Sequence, residues 1–114
     1  MNDIYKLYSN DNEIIYDINY ILSRMGNNID TAELYYWTNG IDDGNGNITD
    51  EWIELILVLK KETETNTLMI EIIKIATAQY GFDDIAIEAK RISRIIKKNF
   101  PQINLKTNLR RFRW

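Results

Sequence analysis

Residues 52–75 read WIELILVLKKETETNTLMIEIIKI, and the fold turns on whether this stretch is two helices or one hairpin. Ile53, Leu55, Leu57 and Leu59 alternate, as they would on a strand with one buried face. The Ile-rich second half has strand-like composition. Thr63–Asn66 (TETN) is suited to closing a hairpin. Against this, Leu, Glu and Lys dominate the first half, and they favour helix. The apolar residues between Trp52 and Leu59 are also dense enough for a centrally buried helix. The expectation is helical, with an α+β fold carrying a β-hairpin at about 52–75 as the alternative.

Working outward, three glycines punctuate apolar runs. Gly26 follows IIYDINYILSRM, Gly40 follows TAELYYWTN, and Gly81 follows LMIEIIKIATAQY. Glycine just past a periodic run is the favoured left-handed residue at a helix end. Asp30 stands three before Glu33, a capping-box spacing. Thr49 precedes Asp50 and Glu51. Asp83 and Asp84 open the last run and Pro101 closes it. These signals predict a mainly α, single-domain bundle of five helices at 12–25, 31–39, 50–63, 67–80 and 83–99. The domain spans 1–101, and 102–114 form a basic, aromatic C-terminal tail.

At 114 residues with 45% apolar content, the chain suits one domain with a real core. No segment approaches the roughly 20 apolar residues of a membrane span. The polar start MNDIYKLYSN shows no secretion signal, so the expected compartment is the cytoplasm. There is no Cys and no His. Disulfide scaffolds, thiolate metal sites and Ser–His or Cys–His nucleophilic catalysis are excluded on that ground. No Gly-rich phosphate loop is present. Paired carboxylates occur at Asp42/Asp43, Asp83/Asp84 and Glu51/Glu54, but nothing around them marks an acid–base site. The expectation is a non-enzyme with no catalytic residues, no cofactor and no metal.

Charge is sorted along the chain. Residues 1–88 hold seventeen acids against five bases, a net −12, and 89–114 hold nine bases and no acid. The overall −3 hides this split. Acid surrounds the consecutive aromatics Tyr35, Tyr36 and Trp37. Taken as a helix, that stretch puts Leu34 and Trp37 on the core face and leaves Tyr35 or Tyr36 exposed. Asp30, Glu33, Tyr35, Tyr36, Asp42 and Asp43 are therefore the expected contacts for a basic protein partner, because aromatics anchor interfaces and charge steers association. The setting this implies is an inhibitor of immunity or antitoxin type, or a phage counter-defence protein. Its partner would be a nuclease toxin or a defence nuclease.

The alternative uses the basic end. Lys90, Arg94, Lys97 and Lys98 fall on one side of a helix opposite Ile85, Ala89, Ile92 and Ile96. Arg110, Arg111 and Arg113 then interleave with Phe112 and Trp114, the chemistry of phosphate contact and base stacking. A small nucleic-acid-binding regulator is the function this implies. A pI near 4.9 argues against it. The loop DDGNGNIT (42–49) resembles part of an EF-hand or dockerin calcium loop. Asp43, Asn45, Gly46, Ile48 and Thr49 match that pattern, whereas Ile41 and Trp52 stand where carboxylate ligands are needed. An Asn/Gly turn is the expected reading of it.

Overall fold

The stretch 52–75 is a hairpin. A computed structural model describes residues 4–8, 10–26, 28–79 and 82–112. Its elements are β1 (Ile4–Lys6), α1 (Asp11–Arg24), β2 (Thr31–Asp42), β3 (Ile48–Glu62), β4 (Leu68–Ala78), α2 (Phe82–Asn99) and β5 (Leu105–Phe112). The strands form a curled five-stranded sheet, a half-barrel, in the order β1-β4-β3-β2-β5. Neighbours are antiparallel except β2 and β5, which run parallel.

The five-helix expectation is thereby overturned: the fold is mixed α/β, with two helices among the described residues. Segments 31–39, 50–63 and 67–80 hold strand at 31–39, 50–62 and 68–78 and no helix among their described residues, so "helical" does not describe this chain. The physical reason lies in β3. It is the central strand, and Ile53 through Leu59 are buried in succession. Leu55, Leu57 and Leu59 enter the main core, while Ile56 and Val58 are covered on the opposite face. A strand buried on both faces reads as an unbroken apolar run, which hides its alternation.

The other helix signals on 31–39 also have strand meanings. The Asp30 carboxylate does accept a backbone N–H, but from Glu62 across the sheet at 2.6 Å, rather than from a helix turn. Gly40 lies at the register irregularity between Asn39 and Ile41, inside β2. Gly81 lies outside the described residues.

The two helices do follow the apolar spacing. Asn10 caps α1, its side chain accepting from Glu13 N–H at 3.2 Å. Lys61 donates to the Met25 carbonyl at the other end. Acids Asp83 and Asp84 open α2 and Lys97 and Lys98 close it, matching the helix dipole. Ile14, Ile18, Ile21 and Leu22 of α1 and Ile85, Ala89, Ile92 and Ile96 of α2 join one core with Ala32, Leu34, Tyr36 and Ile73. Burying each such aliphatic side chain contributes about 1.5–3 kcal/mol. Because this core is single, both helices cover the same sheet face.

Glu88 of α2 is 3% exposed and pairs with Lys6 of β1 at 3.0 Å and with Arg91 Nε at 2.7 Å. Arg91 also pairs with Asp11 at the start of α1. One carboxylate therefore joins α2 to the sheet edge, and one guanidinium joins α2 to α1. Phe100 and Ile103, on either side of Pro101, are buried and lead the chain into β5. Residues 105–112 of the basic C-terminal stretch are thus an edge strand in register with β2.

Candidate protein-binding face

Side chains alternate across a strand, so β2 splits its aromatics between two environments. Ala32, Leu34 and Tyr36 face the helices, and Tyr36 is fully buried. Tyr35 and Trp37 take the other face, which no helix covers among the described residues. The register carries that face across the sheet. Tyr35 is opposite Ile56, Glu33 is opposite Val58, and Trp37 is opposite Glu54. Val58 is in turn opposite Ile72, and Lys60 is opposite Ile70.

Tyr35, Trp37, Ile56, Val58, Lys60, Ile70 and Ile72 line a groove of about 210 Å³. Ile56 and Val58 are its floor, at 3% and 8% exposure. Tyr35 and Trp37 form one wall. Ile70 and Ile72 form the other, and each is half exposed. A contiguous apolar patch of this kind, away from the main core, is a feature of interaction sites.

The groove ends are polar. Beyond Trp37, the Glu54 carboxylate is buried and accepts from Trp52 Nε1 at 2.8 Å. Lys74 lies 3.6 Å from the same oxygen, so this buried charge is partly neutralised in place. Lys60 marks the opposite end. The helix-free face therefore mixes Glu33, Glu54 and Glu62 with Lys60, Lys74 and Lys106, the last opposite Glu33, while its centre is apolar.

The expected partner-binding residues do not form one patch. Tyr35 lines the groove, and Glu33 shares its face two residues away. Tyr36 is removed from that surface by the strand period, and burial raises its hydroxyl pKa. Asp30 is committed to the β2–β3 pairing through Glu62 N–H and its own N–H to Lys60 O at 2.9 Å. Asp42 ends β2, about 16 Å along the strand from Trp37 at roughly 3.3 Å per residue, and Asp43 opens the β2–β3 turn.

Both turn carboxylates cap their own chain. Asp42 accepts from Gly44 N–H at 2.9 Å, and Asp43 accepts from Asn45 N–H at 2.8 Å and Asn47 N–H at 3.3 Å. The Asn45 bond, with further bonds from Asn47, holds the Asp43 pKa below its ordinary value. Gly44 and Gly46 take positive φ of 88° and 84°, which this turn needs and side chains resist.

Six of the seven groove residues were not among the expected contacts: Trp37, Ile56, Val58, Lys60, Ile70 and Ile72. Period-2 reading of 68–72 would have found Leu68, Ile70 and Ile72 on one face. The alternative nucleic-acid residues divide as well. Lys90, Arg94, Lys97 and Lys98 are exposed on the outer side of α2. Arg110 and Arg111 belong to the backbone of β5, and their side chains lie outside the described part. Arg113 and Trp114 lie outside the described residues. No helix of the described residues is long and apolar enough to cross a membrane. No protein family, curated protein or solved structure matches the chain.

Proposed function

We propose that this chain is a non-enzymatic protein-binding inhibitor of the immunity, antitoxin or phage counter-defence kind, acting in the cytoplasm. It seats a basic protein partner, such as a nuclease toxin or defence nuclease, on the helix-free face of the sheet. The observation that carries this reading is the groove between Tyr35/Trp37 and Ile70/Ile72. An aromatic wall beside an aliphatic floor and wall is the composition of an interface hot spot, where water is excluded from a central pocket. The chain carries a net −3, and charge complementarity to a basic surface raises on-rate and selects partners. Glu33 beside the groove and Asp42 and Asp43 at the turn extend acid beyond its rim.

The test is capture of partners from the native host before and after nuclease treatment, with each recovered protein then purified and titrated. A basic protein retained after nuclease treatment, and bound by the purified wild type but not by Tyr35→Ala, supports the reading. Loss of all partners on nuclease treatment contradicts it.

A second reading rests on a separate observation. Lys90, Arg94, Lys97 and Lys98 make a stripe on the exposed side of α2, and no carboxylate pairs with them among the described residues. Such a stripe can neutralise phosphates along a nucleic acid. Anisotropy titration of a labelled duplex discriminates the two. Salt-sensitive binding that disappears in Arg94→Glu/Lys98→Glu favours the nucleic-acid reading.

A further inference from the structure

β4 has an open edge. On its outer side β1 covers only Ala76–Ala78, and Leu7 N–H donates to Ile75 O at 3.0 Å. Below that, no strand pairs with Leu68–Lys74 among the described residues. The hydrogen-bonding direction of this edge follows from the register. Ala32 N–H donates to Asn104 O, so even residues of β2 bond toward β5 and odd ones toward β3. Carried through the pairing, odd residues of β3 bond onto Met69, Glu71 and Ile73. Leu68, Ile70, Ile72 and Lys74 therefore turn their N–H and C=O groups away from β3.

The same residues put their side chains on the helix-free face. Leu68 is 54% exposed, and Ile70 and Ile72 are each 50% exposed. Natural sheets guard long edges with charge, prolines or short strands. The β5 edge has Lys106, and β1 is three residues long. Leu68–Ile72 carries no such guard on this face.

We infer that this edge pairs with the same edge of a second copy, antiparallel about a two-fold axis through Ile70. The chemistry of the edge is self-complementary about that residue. Ile70 meets its own copy, and Leu68 meets Ile72 in both directions, as an isologous interface requires. On the helix side Met69 meets Glu71, whose carboxylate stays paired with Arg24 at 3.3 Å. Lys74 meets Asn66, in the turn that carries Glu64, so opposite charges approach at both ends. An axis through Glu71 would instead set Glu71 against itself. An axis through Met69 would set Ile72 against Asn66.

The stretch is short. A stretch this short falls toward the weak, transient end of interfaces, so the dimer is expected only at high concentration. The pairing leaves the floor of the groove open and sets two grooves on one face of a continuous sheet. It does not depend on the proposed partner reading, and its test contains no partner.

Sedimentation equilibrium on the full chain, from about 10 μM to about 1 mM, reads the association directly. The expected mass rises from 13.5 kDa toward twice that value. Ile70→Pro removes an outward N–H that β3 does not use, so the fold is retained while self-association weakens at least about tenfold. The chain has no native thiol. Ile70→Cys is therefore expected to form a disulfide-linked dimer on mild oxidation, because facing residues of a hydrogen-bonded pair lie about 5.5 Å apart. Tyr16→Cys, exposed on α1, is the control. A wild type that stays monomeric over the whole range overturns the inference, and that result requires no variant to fold. So does a dimer that Ile70→Cys crosslinks no faster than Tyr16→Cys.

Discussion

Tyr35 and Tyr36 are neighbours in the chain and lie on opposite faces of the sheet. Tyr36 is fully buried among the helices, and Tyr35 lines the groove on the helix-free side. Structural and binding roles thus separate at one peptide bond. Tyr36→Ala is expected to lose about 3–5 kcal/mol of stability, as for large aromatic truncations in a core. Tyr35→Ala is expected to lose about 1 kcal/mol or less, as for a partly exposed side chain. Urea unfolding of both variants checks this, and equal losses would show the faces to be misassigned.

Glu88 ties β1 to α2 with its carboxylate almost wholly buried. Its partners Lys6 and Arg91 are partly exposed, at 47% and 34%. Solvent screens the pair from that side, so the cost lies between surface and buried limits. Glu88→Gln is expected to destabilise by about 2 kcal/mol. Thermal or urea unfolding measures it. A second expectation is faster amide exchange in β1 than in β3, because β1 loses one of its few anchors to α2.

Asp43 links pH to the β2–β3 turn. Its folded pKa lies below the ordinary 3.8, chiefly through the Asn45 N–H bond. A lowered carboxyl pKa contributes stability that is complete above the unfolded value and is lost as pH falls through the folded one. The turn is therefore expected to loosen below about pH 4. Asp43→Ala should loosen it already at neutral pH and abolish that acid dependence. Chemical shifts of Asn45 and Asn47 amides, followed from pH 7 to pH 2, read the effect.

Much of the two helices was legible in the sequence because each has a single apolar stripe at spacings of three and four. Ile14, Ile18 and Ile21, and Ile85, Ala89, Ile92 and Ile96, face one core as their period implies. The sheet was not legible, for two reasons. β3 is covered on both faces, so its strand period is masked by Ile56 and Val58. The Asp30–Glu33 spacing also mimics a helix cap, although its carboxylate serves a neighbouring strand. The alternation of 53, 55, 57 and 59, with TETN between the two runs, was the correct signal. For the candidate site, the aromatic–acid cluster drew attention to β2 and found Tyr35 and Glu33. Which aromatic was exposed depended on the period, and a helical period paired Trp37 with the core. The aliphatic wall, Ile70 and Ile72, comes from β4 and is brought opposite β2 only by the sheet order.

Lys74 closes the Glu54 end of the groove, where it neutralises a buried carboxylate. Lys74→Ala removes that cation from Glu54, which still accepts from Trp52 Nε1. A loss of about 1–2 kcal/mol is expected, since Lys74 itself is mostly exposed and screened. Tryptophan fluorescence should report the change locally, because Trp52 donates to the same carboxylate. Unaltered stability and emission would remove Lys74 from the description of that end.

The most direct measurement of the binding claim is calorimetric titration of the purified captured partner into wild type, Trp37→Ala and Arg94→Glu/Lys98→Glu. The expected result is affinity reduced about 30-fold or more by Trp37→Ala, the scale of a hot-spot residue, with the α2 variant unchanged. Unchanged affinity in Trp37→Ala together with loss in the α2 variant would contradict the claim that the helix-free face is the binding surface.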